Sequence, residues 1–215
     1  MIKKPNQYGF TIIELMMSTV VFSMVLLLLT NGVISFTKSY YKGVTEANTQ
    51  HVARLVTEDI TQSIQLNSAN LIPAIPSNTA NPPSDWQGFC FGNEAYVYRL
   101  HYQLVNGSPN LNIHQTTQAL LKGNAPAGCV NVTADSLVTS ITSKEELLAP
   151  SMRLADFTVT PLTNGLYSLV VNVAFGDDDL LSDWQSTTPS CKSQAGSQFC
   201  AVSGLSTVVQ KRIQQ

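Results

Sequence analysis

The chain has 215 residues, a formal net charge of −2, 12% charged residues and 44% hydrophobic ones. That length holds one long helix and one globular domain. The charged fraction is about half that of an average soluble domain. A mildly acidic balance without a basic stripe argues against nucleic acid as the main partner.

Met1 to Gly9 is a short polar leader carrying Lys3 and Lys4. The positive-inside bias keeps such a segment in the cytoplasm and sends the chain beyond it outward. An ordinary secretory signal has its small-residue cleavage site after the apolar run. Here the small residue, Gly9, comes before it. Cutting after Gly9 would leave the apolar segment on the mature chain, with ten basic against fourteen acidic residues and a net charge of 10 − 14 = −4.

No residue from Leu15 to Thr37 is charged. A membrane span needs about 20 apolar residues, and residues 10–31 supply them, with Glu14 near one end. Charge inside a span is costly, so a lone carboxylate there points to function. Once neighbours displace its water, that carboxylate needs a partner. The amine released ahead of Phe10, on the same chain or a neighbour, is the natural one.

Gly9-Phe10-Thr11-x-x-Glu14-Leu15 behind a short basic leader resembles the type IV prepilin signal. Type IV pilins and type II secretion pseudopilins share that signal. The resemblance spans roughly the first 60 residues; the alternative is a plain signal-anchor helix. It implies cleavage after Gly9 by a prepilin peptidase, N-methylation of Phe10 and packing of the helix into a filament. For Glu14 it implies pairing with the N-terminus of a neighbouring subunit, which sets axial register.

The helix is expected to continue beyond the span. Val33, Phe36, Tyr40, Val44 and Ala47 recur at helical spacing, and Val52, Leu55, Val56, Ile60 and Ile64 repeat the pattern. A helix from Phe10 to about Leu66 would be about 85 Å long. The second stripe is expected to pack on the chain's own domain, with His51 partly packed beside it. Gly32 and Gly43 are its weakest helical positions.

Asn67 to Gly88, with Pro73, Pro76, Pro82 and Pro83, reads as a connecting loop. Tyr96 to Leu104 alternates as a strand, Asn106-Gly107 turns, and Leu111 to Thr117 returns. The tyrosine row reads as a core face rather than a sugar platform. Ala155–Leu162 and Leu166–Phe175 form a second hairpin about Asn164-Gly165, and Leu205–Arg212 a last strand. The fold class is α+β, a long helix packed on an antiparallel sheet. The divisions are leader 1–9, helix 10–66 and exported domain 67–215.

Cys90, Cys129, Cys191 and Cys200 all follow the span, where export permits disulfides. There is no C-x-x-C pair, which disfavours zinc. Of three connectivities, Cys191–Cys200 around Gly196 with Cys90–Cys129 is favoured; free buried thiols are the alternative. Asp177, Asp178, Asp179 and Asp183 form a dense carboxylate cluster. Calcium takes such oxygens, but the order lacks EF-hand spacing, and a solvated turn is preferred. No nucleophile elbow, zincin motif, P-loop or dinucleotide fingerprint occurs. The chain is therefore expected to be no enzyme and to hold no cofactor.

The second hairpin, the acidic loop and the strand ending in Lys211-Arg212 loosely resemble PilW-like minor pilins and J-type pseudopilins. The implied role is a minor structural subunit that helps initiate a pilus or forms part of its tip complex. The alternatives are a type II secretion pseudopilin, or a tip adhesin or DNA-uptake module. The implied location is a single pass of the inner membrane with an exported domain, and the pilus or cell surface after assembly.

Overall fold

A computed structural model describes residues 9–67, 69–75, 85–110, 114–125 and 129–212. The leader lysines, Pro76, Pro82, Pro83 and the start of the expected Leu111–Thr117 strand lie outside these residues. The chain divides into two compact units, Met1–Tyr41 and Lys42–Gln215. Helix α1, Ile12–Leu66, contributes to both and runs without a break through Gly32 and Gly43.

In the first unit α1 is long and apolar enough to cross a membrane. Its side chains are bare: Ile12 is 81% and Phe36 73% exposed. The hydroxyls of Ser18, Thr19, Ser23, Thr30 and Thr37 donate to carbonyls of their own helix at 2.7–2.9 Å. Such back-bonding pairs these five hydroxyls within the helix, as a lipid environment requires.

The second unit is built of α1's remainder, two antiparallel sheets and two short strand pairs, one of them parallel. The main sheet has the order β1 (Leu71–Pro73), β2 (Trp86–Phe91), β3 (Glu94–Arg99), β6 (Leu120–Asn124), β7 (Thr142–Glu146). A second sheet has the order β12 (Ala201–Gln210), β9 (Leu166–Phe175), β8 (Met152–Pro161). Two short pairs complete the strands: β4 (Gln103–Leu104) with β5 (Gln115–Thr116), and β10 (Leu181–Ser182) with β11 (Ser190–Cys191). A short helix, α2, spans Ala134–Ser140 and is capped by the Thr133 side chain.

The β8–β9 hairpin forms because Asn164 and Gly165 both take left-handed backbone, at φ 59° and 70°. Asparagine and glycine tolerate that region best. Ten-residue strands extend from it on both sides. The last strand runs Ala201–Gln210, four residues earlier at its start than the expected Leu205.

Three expectations need correction. The expected hairpin about Asn106-Gly107 does not form: β4 pairs with β5 in parallel. The partners of β3 are instead β2 and β6, and the β2–β3 turn uses Gly92 at φ 58°. The expected loop from Asn67 to Gly88 contains β1 and the start of β2. On α1, His51 and Leu55 are exposed, whereas Thr45 and Thr49 are buried. The buried stripe is Thr45, Thr49, Ala53, Val56, Ile60 and Ile64. Hydrophobicity does not mark threonine as core, yet Thr49 satisfies its hydroxyl on the Thr45 carbonyl at 2.8 Å. The stripe's spacing is what a helix face requires.

That stripe shares one core with Phe89, Phe91, Tyr96 and Tyr98 of the main sheet and Phe157, Leu169 and Val171 of the second. The other face of the main sheet carries Cys90, Ala95, Val97 and Leu121 against Leu137 and Ile141 of the α2 region. Four consecutive residues of β3, Ala95 to Tyr98, are therefore buried.

A polar clamp also ties α1 to the sheet. Lys122 Nζ lies 2.7 Å from Asp59 and 3.6 Å from Glu94. Tyr96 donates to Asp59 at 2.8 Å, and Ser63 donates to Glu94 at 2.5 Å. Burial pushes the Tyr96 phenol above its usual range, with the charges of Asp59 and Glu94 adding to it. Desolvation pulls Lys122 down, but its hydrogen bond to Asp59 and the two carboxylate charges outweigh that and raise it.

Two predictions come from this packing. Ile60→Ala should cost about 2–5 kcal/mol in denaturant unfolding, and Leu55→Ala on the same helix less than about 0.5. Both clamp groups have raised folded pKa values, so their stabilisation is complete below the unfolded values and fades as pH rises. Thermal stability should therefore fall above about pH 10. Tyr96→Phe and Lys122→Met should each make that decline shallower, and Lys122→Met should lose about 1–3 kcal/mol at neutral pH.

Candidate functional site

The segment that opens α1 is a capping box. Thr11 is the residue before the helix, and its hydroxyl accepts from the Glu14 N–H at 3.3 Å. The Glu14 carboxylate reaches back to the Thr11 N–H at 3.0 Å and the Thr11 hydroxyl at 2.8 Å. The free N–H groups of a helix start are satisfied this way when threonine is followed three residues later by glutamate. Thr11-x-x-Glu14 is a capping signature visible in the sequence, but reading Glu14 only as a buried charge misses Thr11's part in it. The carboxylate thus has an intrachain partner in the single subunit, one residue from the bond ahead of Phe10.

Gly9 carries no structural demand of its own. A Cβ built on it meets nothing within 4 Å among the described residues. Phe10 is likewise exposed and packs in no core. The fold does not explain why these two residues should be glycine and phenylalanine.

Residues 4–30 match a family model described as a prokaryotic N-terminal methylation motif. The N-terminus is a type IV pilin-like prepilin signal. This signal implies processing by a prepilin peptidase and assembly with other pilins. Together with the apolar helix, it fits a single-pass, membrane-anchored pilin and suggests a structural protein. Searches of curated proteins and of solved structures returned no match.

The other candidate residues lie in the second unit. Cys90 pairs with Cys129 and Cys191 with Cys200, at Cα separations of 6.2 and 5.8 Å. The first ties β2 to the segment before α2, and the second joins β11 to the start of β12. The acidic run is spread over separate partners. Asp177 accepts from Gln103 at 2.8 Å, and Asp178 pairs with the fully buried Arg153. Among the described residues, no group of three or more His, Cys, Asp or Glu is placed to hold a metal ion. The chain folds this way because a buried guanidinium needs an anion, and Asp178 supplies it.

Proposed function

We propose that this chain is a minor structural subunit of a type IV pilus or related filament, helping to initiate assembly or forming part of the tip complex. The carrying observation is the prepilin signal fused to a helix whose side chains are bare from Phe10 to Phe36. An apolar surface of that extent needs a cover. A bilayer covers it before assembly, and neighbouring subunits cover it afterwards. The large domain beyond it, with two disulfides and irregular connections, favours a minor over a densely packed major subunit.

In this role residues 1–9 are a leader removed after Gly9, 10–66 the assembly helix and 67–215 the exported domain. Phe10 becomes the N-methylated terminus. Glu14 then has two competing partners: its own Thr11 and the new amine of a neighbour. In a water-free filament core a cationic amine binds a carboxylate more strongly than neutral donors do.

N-terminal mass spectrometry of the mature chain should begin at N-methyl-Phe10; a start at Met1 or beyond Gly32 would contradict the role. Glu14→Ala should leave membrane insertion and cleavage intact while incorporation into sheared filaments drops. Normal incorporation of that variant would rule out the pairing. Neighbouring genes separate the pilus from type II secretion: prepilin-like frames beside a pilus assembly ATPase favour the pilus, and exoprotein-secretion genes the alternative.

A further inference from the structure

The two larger sheets end in four strands, β1, β7, β8 and β12. A bare sheet edge is an open template for another strand, so folds shield it by shortness, proline, charge, a bulge or a cover. Three of the four are shielded. β1 has three residues and ends on Pro73. β7 carries Lys144 and Glu145, and its pairing with β6 is irregular between Lys122 and Asn124. β8 is bridged by Leu100 at Leu154, is irregular against β9 between Leu154 and Asp156, and ends on Pro161.

β12 has none of these shields. It runs for ten residues without a charge or a proline. Its register against β9 is unbroken, from Ala201 opposite Phe175 to Gln210 opposite Leu166. The Lys211 N–H donates to the Gly165 carbonyl at 2.9 Å. By antiparallel alternation the odd-numbered residues of β12 therefore bond to β9. Val202, Gly204, Ser206, Val208 and Gln210 turn their N–H and C=O groups the other way. None of these five bonds through its backbone to another described residue on that side. Val202 is 36% and Val208 59% exposed.

The edge is ordered before anything joins it. A Cβ at Gly204 would clash with the Asn172 side chain, which lies across the strand and donates to the Thr187 carbonyl at 2.8 Å. The Cys191–Cys200 disulfide holds the start of the strand, and the Lys211 bond holds its end. A strand fixed in advance loses less freedom on binding.

The chemistry of the edge restricts its occupant. A charged strand would lose hydration beside five uncharged residues and gain no ion pair from them. A second copy paired antiparallel through β12 would be related by a two-fold axis normal to the sheet. That axis would turn the two α1 helices, which pack on these sheets, in opposite directions. A single membrane admits one direction. We propose that the β12 edge docks an uncharged, extended strand of a different pilin-type subunit, which joins the second sheet as its fourth strand. This inference rests on the filament role, because the prepilin signal is what implies assembly with other pilins.

The test places a photo-crosslinking amino acid at Val208 of the full chain, in cells that assemble filaments. Sheared filaments are probed for the chain, and its cross-linked products are identified by mass spectrometry. The product should join position 208 to a different protein that carries a prepilin signal. Ser206→Pro removes one outward N–H and no bond to β9, and should lower the yield about tenfold. Ser206→Lys leaves the backbone intact and charges the edge, so it should give the same loss if the proline variant misfolds. Absence of the chain from filaments would overturn the filament role. With the chain present there, no product at position 208, a product with a second copy alone, or an undiminished yield from Ser206→Lys would overturn the docking inference.

Discussion

Glu14 is the only charge in the apolar opening of α1, and it must be satisfied wherever that helix goes. In the single subunit the capping box does this with Thr11, which donates both its N–H and its hydroxyl to the carboxylate. Both bonds fall on the same carboxylate oxygen, Oε2, and need no second chain. It suits a helix start held at the edge of a bilayer, where an unpaired carboxylate would be costly. It also ties the carboxylate to Thr11, the residue after Phe10. The N-terminal segment therefore carries a start signal for the helix, and in the proposed assembly role the same carboxylate would meet an amine.

The remainder of α1 is held by different means. Its apolar residues Ala53, Val56, Ile60 and Ile64 share one core with both sheets, and Thr45 and Thr49 are buried on the same helix. Asp59 and Ser63 enter the Lys122–Tyr96–Glu94 clamp. Apolar burial supplies the bulk of the attachment, and the clamp selects one helix register, since a shift by one residue would leave Lys122 and Tyr96 without Asp59. Polar groups used in this way tend to trade stability for a single defined arrangement.

Much of this is legible in the sequence. The Gly9–Leu15 motif, the uncharged run behind it and the Asn164-Gly165 hairpin each rest on local chemistry, which a single sequence displays. The main sheet is harder to read. Strand β3 is buried on both faces, so the alternation from Tyr96 to Leu104 does not report which residues face the core or where the strand ends. Strand β2 and helix α2 escape notice because Gly88 and Cys90 lack strand character, and α2 is only seven residues long. Thr49 escapes because its burial depends on a hydroxyl bonding back to the Thr45 carbonyl. Asp178 reads as a solvated acid because its partner, Arg153, lies 25 residues earlier.

The proposed assembly role turns on one step, the exchange of Glu14 from its own Thr11 to a neighbour's N-terminus. A membrane-permeant carbodiimide joins a carboxylate to an amine only where the two already touch. Applied to assembled filaments and read out by mass spectrometry, it should yield Glu14 joined to the N-terminal amine of a neighbouring subunit, and none of that product from the unassembled chain in membranes. Recovery of Glu14 without that link in filaments that demonstrably contain the chain would contradict the account.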